Sequence, residues 1–152
     1  MATTPPLEDI VLYQDPLGDC CREYSKRIAE ENARHTAALG ALRKKLTDSP
    51  EYKGEQTRWA AEQKVCSDRL TGGDRAFSYV NCMTAANREH AARGAAIEAA
   101  VYTPFYDAEC AAHQERTNYI EYARYGCCQS DPFRAYKACC QGDDGEPIRN
   151  PM

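Results

Sequence analysis

The sequence predicts an all-α fold, in which helical hairpins are cross-linked by disulfides and flanked by extended N- and C-terminal arms. Three observations support this prediction. Apolar residues recur at intervals of three and four through the middle of the chain, which is the spacing of one helix face. No stretch alternates apolar and polar residues as a half-buried strand does. The chain also has nine cysteines among 152 residues, a density typical of oxidising compartments or of metal sites.

The first predicted elements are an arm and a long helix. Residues 1–18 form the extended arm, because Pro5, Pro6 and Pro16 are incompatible with a helix interior. Asp19 is a favoured N-cap residue, and the helix that follows runs to about Thr47. Its apolar stripe consists of Cys21, Tyr24, Ile28, His35, Leu39, Leu42 and Leu46. These residues follow one another at intervals of three or four, with one interval of seven.

Two further helices are predicted on either side of a glycine turn. Ser49 and Pro50 suit the N-cap and first position of a helix that ends at Gly72-Gly73. The apolar face of this helix consists of Tyr52, Trp59, Cys66 and Leu70. Asp74 then caps a third helix, which is broken before Pro104. The stripe of the third helix consists of Ala76, Val80, Met83, His90, Ile97 and Val101.

The C-terminal third completes a single predicted helical domain over residues 19–142. A fourth helix is expected from about Phe105 to Tyr125. One side of it carries Cys110, His113, Thr117 and Ile120. Asp131-Pro132 is expected to open a short fifth helix that ends at Gly142. Residues 143–152 are expected to form a loose C-terminal tail.

The cysteines are expected to form disulfides rather than a metal site. They are Cys20, Cys21, Cys66, Cys82, Cys110, Cys127, Cys128, Cys139 and Cys140. A zinc knuckle uses C-x-x-C, which does not occur, so we expect neither a metal nor another cofactor. Three pairs are vicinal instead. Because the total is odd, at least one thiol is free or bonded to a partner.

Helix hairpins indicate two of the bridges. Cys66 and Cys82 flank the Gly72-Gly73 turn, so antiparallel packing of the two helices brings them within bonding distance. Likewise, Cys127 or Cys128 can meet Cys139 or Cys140 across the turn at residues 130–132. The partners of Cys20, Cys21 and Cys110 remain open. We expect one member of each vicinal pair to be bridged, and the other to pack as a small hydrophobic residue.

Charge and composition exclude several classes of function. A net charge of −4 and a pI near 5.4 provide no basic surface for nucleic acid or for an anionic membrane. No apolar run approaches the roughly 18 residues of a membrane span. The N-terminal segment has the pattern of neither a signal peptide nor a basic presequence. We expect no catalysis, because a C-x-x-C redox motif, a two-carboxylate pattern and a phosphate loop are missing. His35, His90 and His113 are expected to pack on helix stripes.

The cysteine pattern resembles that of the coiled-coil-helix-coiled-coil-helix (CHCH) proteins of the mitochondrial intermembrane space. Their paired cysteines are joined across helical hairpins, and the proteins lack a presequence. Their usual spacing is twin C-x9-C, from which this chain departs with C-x15-C (Cys66 to Cys82) and C-x10-C (Cys128 to Cys139). The stretch from Val65-Cys66 through Asn81-Cys82 to Glu109-Cys110 is similar in order to the PDSW-type accessory subunits of mitochondrial complex I.

This resemblance implies a non-catalytic accessory subunit of a respiratory-chain complex, most directly complex I (NADH:ubiquinone oxidoreductase). The subunit would lie in the intermembrane space, peripheral to the inner membrane, with other subunits of a large membrane protein complex as its partners. Accessory subunits of complexes III and IV and of ATP synthase share the remaining features. Tyrosine is enriched at interfaces, and the candidate docking residues are Tyr119, Tyr122, Tyr125 and Tyr136.

Other functions and compartments remain open. A soluble intermembrane-space copper carrier would bind Cu(I) through a reduced Cys-Cys pair. A soluble assembly factor of the same compartment is the related alternative. A secreted protein whose signal has been removed and a reduced cytosolic protein complete the set.

Overall fold

The structure is a computed structural model that describes residues 20–73 and 75–151. Within these ranges it contains the helices α1 (Cys20–Asp48), α2 (Pro50–Thr71), α3 (Ala76–Val101) and α4 (Thr103–Gln129). Two 3₁₀ turns, Arg134–Tyr136 and Ala138–Cys140, follow α4. The prediction of an all-α fold with disulfide-linked hairpins is confirmed. The predicted arm over residues 1–18 and the predicted caps Asp19 and Asp74 lie outside the described residues.

Helix α2 begins and ends where the sequence predicts. Ser49 has an extended backbone, and its Oγ accepts a hydrogen bond from the Tyr52 backbone N–H at 3.1 Å. Pro50 occupies the first turn, where a missing N–H is tolerated. At the other end, the Gly72 N–H donates to the Asp68 carbonyl. Gly73 has a φ of +106°, which only glycine adopts without strain, so the chain can reverse tightly after α2.

The break between α3 and α4 lies at Tyr102. The backbone of this residue leaves helical geometry, with φ −128° and ψ −57°. Helix α4 then starts two residues before the predicted Phe105 and continues past the predicted end at Tyr125. Pro104 lies in the first turn of α4, where it is tolerated, so it does not delay the helix. Arg75 precedes α3 and makes no side-chain capping bond.

The prediction of a fifth α-helix from Asp131 to Gly142 is wrong. Asp131 Oδ1 does accept a hydrogen bond from the Phe133 backbone N–H at 2.8 Å, but only 3₁₀ turns follow. Lys137 separates the two turns with an extended backbone (φ −109°, ψ 123°). Its ammonium group forms an ion pair with the Asp131 carboxylate, and both side chains are buried. The local backbone therefore accommodates a buried ion pair instead of a regular helix.

The expectation of a loose tail is wrong for residues 143–148. The Gly142 N–H donates to the Glu146 carbonyl at 2.7 Å, and Gly145 supplies the positive φ (+77°) that this turn requires. The Ile148 N–H donates to the Cys140 carbonyl at 3.1 Å. The Ile148 side chain packs against a buried cysteine cluster. Both backbone pairing and apolar contact therefore hold this segment in place.

The chain divides into two compact units. Unit 1 comprises the described parts of residues 1–36 and 110–152, and unit 2 comprises residues 37–109. Within unit 1, the first part of α1 is linked to α4 by a disulfide and by ion pairs. Within unit 2, α2 and α3 pack as an antiparallel hairpin.

The apolar stripes match the buried faces only in part. The stripe predicted for α1 is buried or half-buried along its described length, and Leu46 is 1% exposed. Leu70, Ala76 and Val80, which lie near the turn between α2 and α3, are exposed. The interval of seven residues in the α1 stripe contains Glu31, a buried carboxylate. Polar side chains therefore occupy positions on the buried faces that the apolar pattern leaves empty.

Candidate functional site

Six cysteines of unit 1 form a closed ring of disulfides. Each vicinal pair is bonded to both of the other pairs, through Cys20–Cys127, Cys21–Cys139 and Cys128–Cys140. The ring joins the start of α1, the end of α4 and the second 3₁₀ turn. The Cα separations of 5.8, 5.3 and 5.5 Å fall in the normal range for disulfides.

The prediction that only one member of each vicinal pair is bridged is therefore wrong. Consecutive side chains on a helix point about 100° apart, because an α-helix has 3.6 residues per turn. Adjacent cysteines at a helix end can thus meet two different segments of the chain. Cys127 and Cys128 do this, since one is bonded to α1 and the other to the 3₁₀ turn.

Disulfide sulfur takes the place of an aliphatic core in unit 1. Its buried hydrophobic cluster consists of Cys20, Cys128 and Cys140, with Cys139 and Ile148 packed against it. Cys128 is only 1% exposed. The same cysteines therefore form both the covalent links and the apolar centre of this unit.

The remaining three cysteines are divided between the units. In unit 2, Cys66 and Cys82 form the disulfide that the hairpin predicts, with a Cα separation of 5.7 Å. Cys66 is buried, and the bridge lies one and a half to two turns from the glycine turn on each helix. Cys110 of unit 1 is half-buried and is the free cysteine.

Three sulfur atoms of the ring lie as close together as the ligands of one metal ion. The Sγ atoms of Cys128, Cys139 and Cys140 are all within 4.8 Å of one another. Metal binding by cysteine requires thiolates, whereas all three of these sulfurs are bonded in disulfides. In the oxidised protein these three cysteines therefore act as structural disulfide cross-links and not as metal ligands.

No family model matches the chain. No curated protein and no solved structure matches it either.

A buried carboxylate organises a second polar cluster in unit 1. Glu31, on α1, accepts a hydrogen bond from His113 Nδ1 of α4 at 2.8 Å. It also binds the guanidinium groups of Arg34 at 2.7 Å and Arg116 at 3.2 Å. The hydrogen bonds from Arg34, reinforced by His113, hold the pKa of Glu31 at about 2, although burial acts in the opposite direction. The His113 ring also stacks on His35, with centroids 3.9 Å apart.

Unit 2 contains a cluster of the same design. Glu55, on α2, accepts hydrogen bonds from Arg93 Nε at 2.6 Å and from His90 Nδ1 at 3.0 Å, both on α3. These bonds, chiefly that from Arg93, lower the pKa of Glu55. Arg93 also pairs with Glu62 at 2.9 Å. The His90 ring stacks on Trp59, with centroids 4.1 Å apart.

The two clusters share a sequence pattern that apolar periodicity did not reveal. One helix supplies Glu-x-x-Arg followed by a ring, at Glu31 to His35 and at Glu55 to Trp59. The facing helix supplies His-x-x-Arg, at His113 and at His90. In both clusters the glutamate lies four residues before the ring that the facing histidine stacks on, which places the two on one helix face. A search for recurring polar spacings would have found this pattern.

These polar clusters have the chemistry of structural clamps. A nucleophilic cysteine needs a base within hydrogen-bonding reach. No hydrogen bond joins Cys110 to His113 among the described residues, and His113 Nδ1 is engaged by Glu31. Each buried glutamate instead pairs with an arginine of the facing helix, Arg116 or Arg93, and this contact links the two helices.

Large aromatic side chains of unit 1 remain exposed. Tyr136 is 85% exposed and Tyr119 is 75% exposed, and Tyr122 and Phe133 are also exposed. Tyr119 and Tyr122 are three residues apart on α4 and so share a face. Of the four tyrosines expected at an interface, only Tyr125 is half-buried. None of the described helices has the length and apolar character that a membrane span requires.

Proposed function

We propose that this protein is a non-catalytic accessory subunit on the intermembrane-space side of a mitochondrial respiratory-chain complex, most directly complex I. The observation that supports this role best is that eight of the nine cysteines are joined in four disulfides. Such a protein needs a compartment that oxidises thiols. The resemblance of the cysteine pattern to that of the CHCH proteins is what links this requirement to the intermembrane space.

The side chains of both units favour a scaffold over an enzyme or a carrier. Buried carboxylates pair with arginine and form hydrogen bonds with histidine, so these groups hold helices together rather than face a substrate. A copper carrier needs a reduced Cys-Cys pair, whereas every vicinal pair here is fully bridged. Disulfide-linked helices with exposed aromatic residues are suited to bind neighbouring subunits.

The docking surface that we assign to unit 1 consists of Tyr119, Tyr122, Phe133 and Tyr136. Tyrosine and phenylalanine are enriched in the centres of protein interfaces, because they bury a large area at a small cost in conformational entropy. A partner that covers these side chains would remove them from water. The occupant we propose is a neighbouring subunit of the complex.

Complexome profiling tests this function. Mitochondria are extracted in mild detergent, complexes are separated on a native gel, and every slice is analysed by mass spectrometry. We expect comigration with the NADH dehydrogenase subunits. Comigration with another respiratory complex would keep the structural role and reject complex I. A peak only at low mass, with bound copper, would reject the proposal in favour of a carrier.

A variant of the docking surface sharpens this test. Tyr119→Ser combined with Tyr136→Ser removes two highly exposed rings, so we expect unchanged thermal stability but loss of comigration. Glu115→Ser, an exposed position on the same helix, is the matched control and should retain comigration. Full comigration of the tyrosine variant would reject this surface as the interface.

A further inference from the structure

The disulfide ring contains a buried bridge that is reached most directly from within the protein. Cys128 and Cys140 are 1% and 3% exposed, so their disulfide is shielded from reagents in solution. Cys139, however, has its Sγ 3.9 Å from that of Cys140. Cys128 Sγ also lies within 4.8 Å of both, and 4.0 Å from the Cys139 carbonyl oxygen. Cys139 itself is bonded to Cys21, and both of these residues are half-buried.

We propose that Cys128, Cys139 and Cys140 form an internal thiol–disulfide exchange site that is opened by an external dithiol at Cys21. In the first step, a thiolate of the dithiol attacks Cys21 Sγ and forms a mixed disulfide. The Cys21–Cys139 bond breaks, and Cys139 leaves as a thiolate with the bonding electron pair. In the second step, the Cys139 thiolate attacks Cys128 Sγ. The Cys128–Cys139 bond forms, and Cys140 leaves as a thiolate that takes a proton from water.

The second step is redox-neutral, because one disulfide replaces another. Before it occurs, the Cys139 side chain, released from Cys21, rotates to bring its sulfur in line with the bond that it attacks. Attack on Cys140 instead would join two adjacent residues, whose Cα atoms are about 3.8 Å apart. That distance is below the roughly 4.4–6.8 Å usual for a disulfide, so the geometry favours the Cys128–Cys139 product.

This activity goes beyond a static structural role. The exchange in the second step converts the half-buried Cys139 thiol into a disulfide and leaves the buried Cys140 as the free thiol. This step does not change the number of disulfides in the chain. The ring would then respond to a dithiol partner by changing its pairing before it loses its core. The hairpin bridge Cys66–Cys82 belongs to unit 2 and takes no part in the exchange.

Cys21→Ser tests the second step without any reductant, because it leaves Cys139 as a thiol from the start. The oxidised variant is denatured in acid together with maleimide, so that buried thiols are also labelled, and it is then digested without reduction and mapped by mass spectrometry. Fragment ions that separate residues 139 and 140 assign the alkylated cysteine. We expect the gain of a Cys128–Cys139 linked peptide, with Cys140 alkylated. A map with Cys139 fully alkylated and Cys128–Cys140 intact would overturn the proposal.

The matched control is Cys21→Ser combined with Cys139→Ser, which loses the same bridge but lacks the attacking thiol. We expect this control to retain Cys128–Cys140 and to form no new pairing of Cys128. Far-UV circular dichroism should show equal helix content in both variants. With wild-type protein, brief exposure to limiting dithiothreitol should yield the Cys128–Cys139 peptide, and dithiothreitol should open the buried bridge more slowly in the control variant. If dithiothreitol opened Cys128–Cys140 at the same rate in wild-type protein and in the control variant, the proposal would also be overturned, even if the single variant did not fold.

Discussion

The closed ring predicts that the first bridge removed from it costs much less stability than the second. In the chain-entropy treatment, a bridge stabilises according to the number of residues in the loop that it closes. Cys20–Cys127 has a sequence separation of 107, which by itself corresponds to about 4.8 kcal/mol. With the other two bridges intact, the same ends are connected through only six residues, Cys20, Cys21, Cys139, Cys140, Cys128 and Cys127. A loop of six residues corresponds to about 2.2 kcal/mol.

Removal of a second ring bridge opens the long loop. Once Cys20–Cys127 is absent, Cys21–Cys139 closes a loop that contains about a hundred residues of chain between Cys21 and Cys128. Its loss should then cost about 4.8 kcal/mol. Removing both bridges should therefore cost about 2.6 kcal/mol more than the sum of the costs of removing each bridge alone. The hairpin bridge Cys66–Cys82, with a separation of 16, should contribute about 3 kcal/mol in every background.

Serine pairs provide the assay for this cooperativity. The variants are C20S/C127S, C21S/C139S and their combination, with C66S/C82S added to each as the matched control. Guanidinium unfolding without reductant, followed by far-UV circular dichroism, gives the free energy of unfolding for each variant. The excess loss in the combined variant is the quantity of interest. Additive losses, or a first loss as large as the second, would refute the ring as the source of stability.

Further predictions concern buried charge. Glu31→Gln should lower the free energy of unfolding by about 1–3 kcal/mol, measured against the exposed control Glu30→Gln; equal values would contradict the role of this carboxylate. The pKa of Glu31 is held at about 2 instead of 4.5, so its contribution to the free energy of unfolding is complete above pH 4.5 and is lost as the pH falls towards 2. Between these pH values the melting temperature should therefore fall more steeply in wild type than in the glutamine variant. Lys137→Met leaves the Asp131 carboxylate buried without its partner and should lower the melting temperature, whereas adding Asp131→Asn should restore part of it; no restoration would contradict the ion pair.

The sequence predicts best those features that depend on local chemistry. Ser49-Pro50 and Gly72-Gly73 mark both ends of α2, because capping and chain reversal depend on the residues at those positions. The glycine turn also predicts the Cys66–Cys82 bridge, since an antiparallel hairpin brings the residues on either side of the turn together. All of these inferences use short separations along the chain.

Features that depend on distant contacts were harder to predict. Apolar periodicity treats Glu31 and Glu55 as gaps in a stripe, yet both are buried, because arginine from the facing helix pairs with each of them and histidine forms a hydrogen bond with each. Sequence separations of 107 and 118 gave no indication of the partners of Cys20 and Cys21. The 3₁₀ turns near Lys137 were also missed, although Asp131 is only six residues away, because the helix signals in the sequence do not indicate that this ion pair is buried.

A count of free thiols in the native protein tests most directly whether oxidation holds this fold together. Cells are quenched in acid, the protein is denatured, and its thiols are labelled with a maleimide of known mass before and after reduction. We predict one label before reduction, at Cys110, and eight more afterwards. Nine labels before reduction would contradict both the disulfide-dependent fold and the oxidising compartment that we propose.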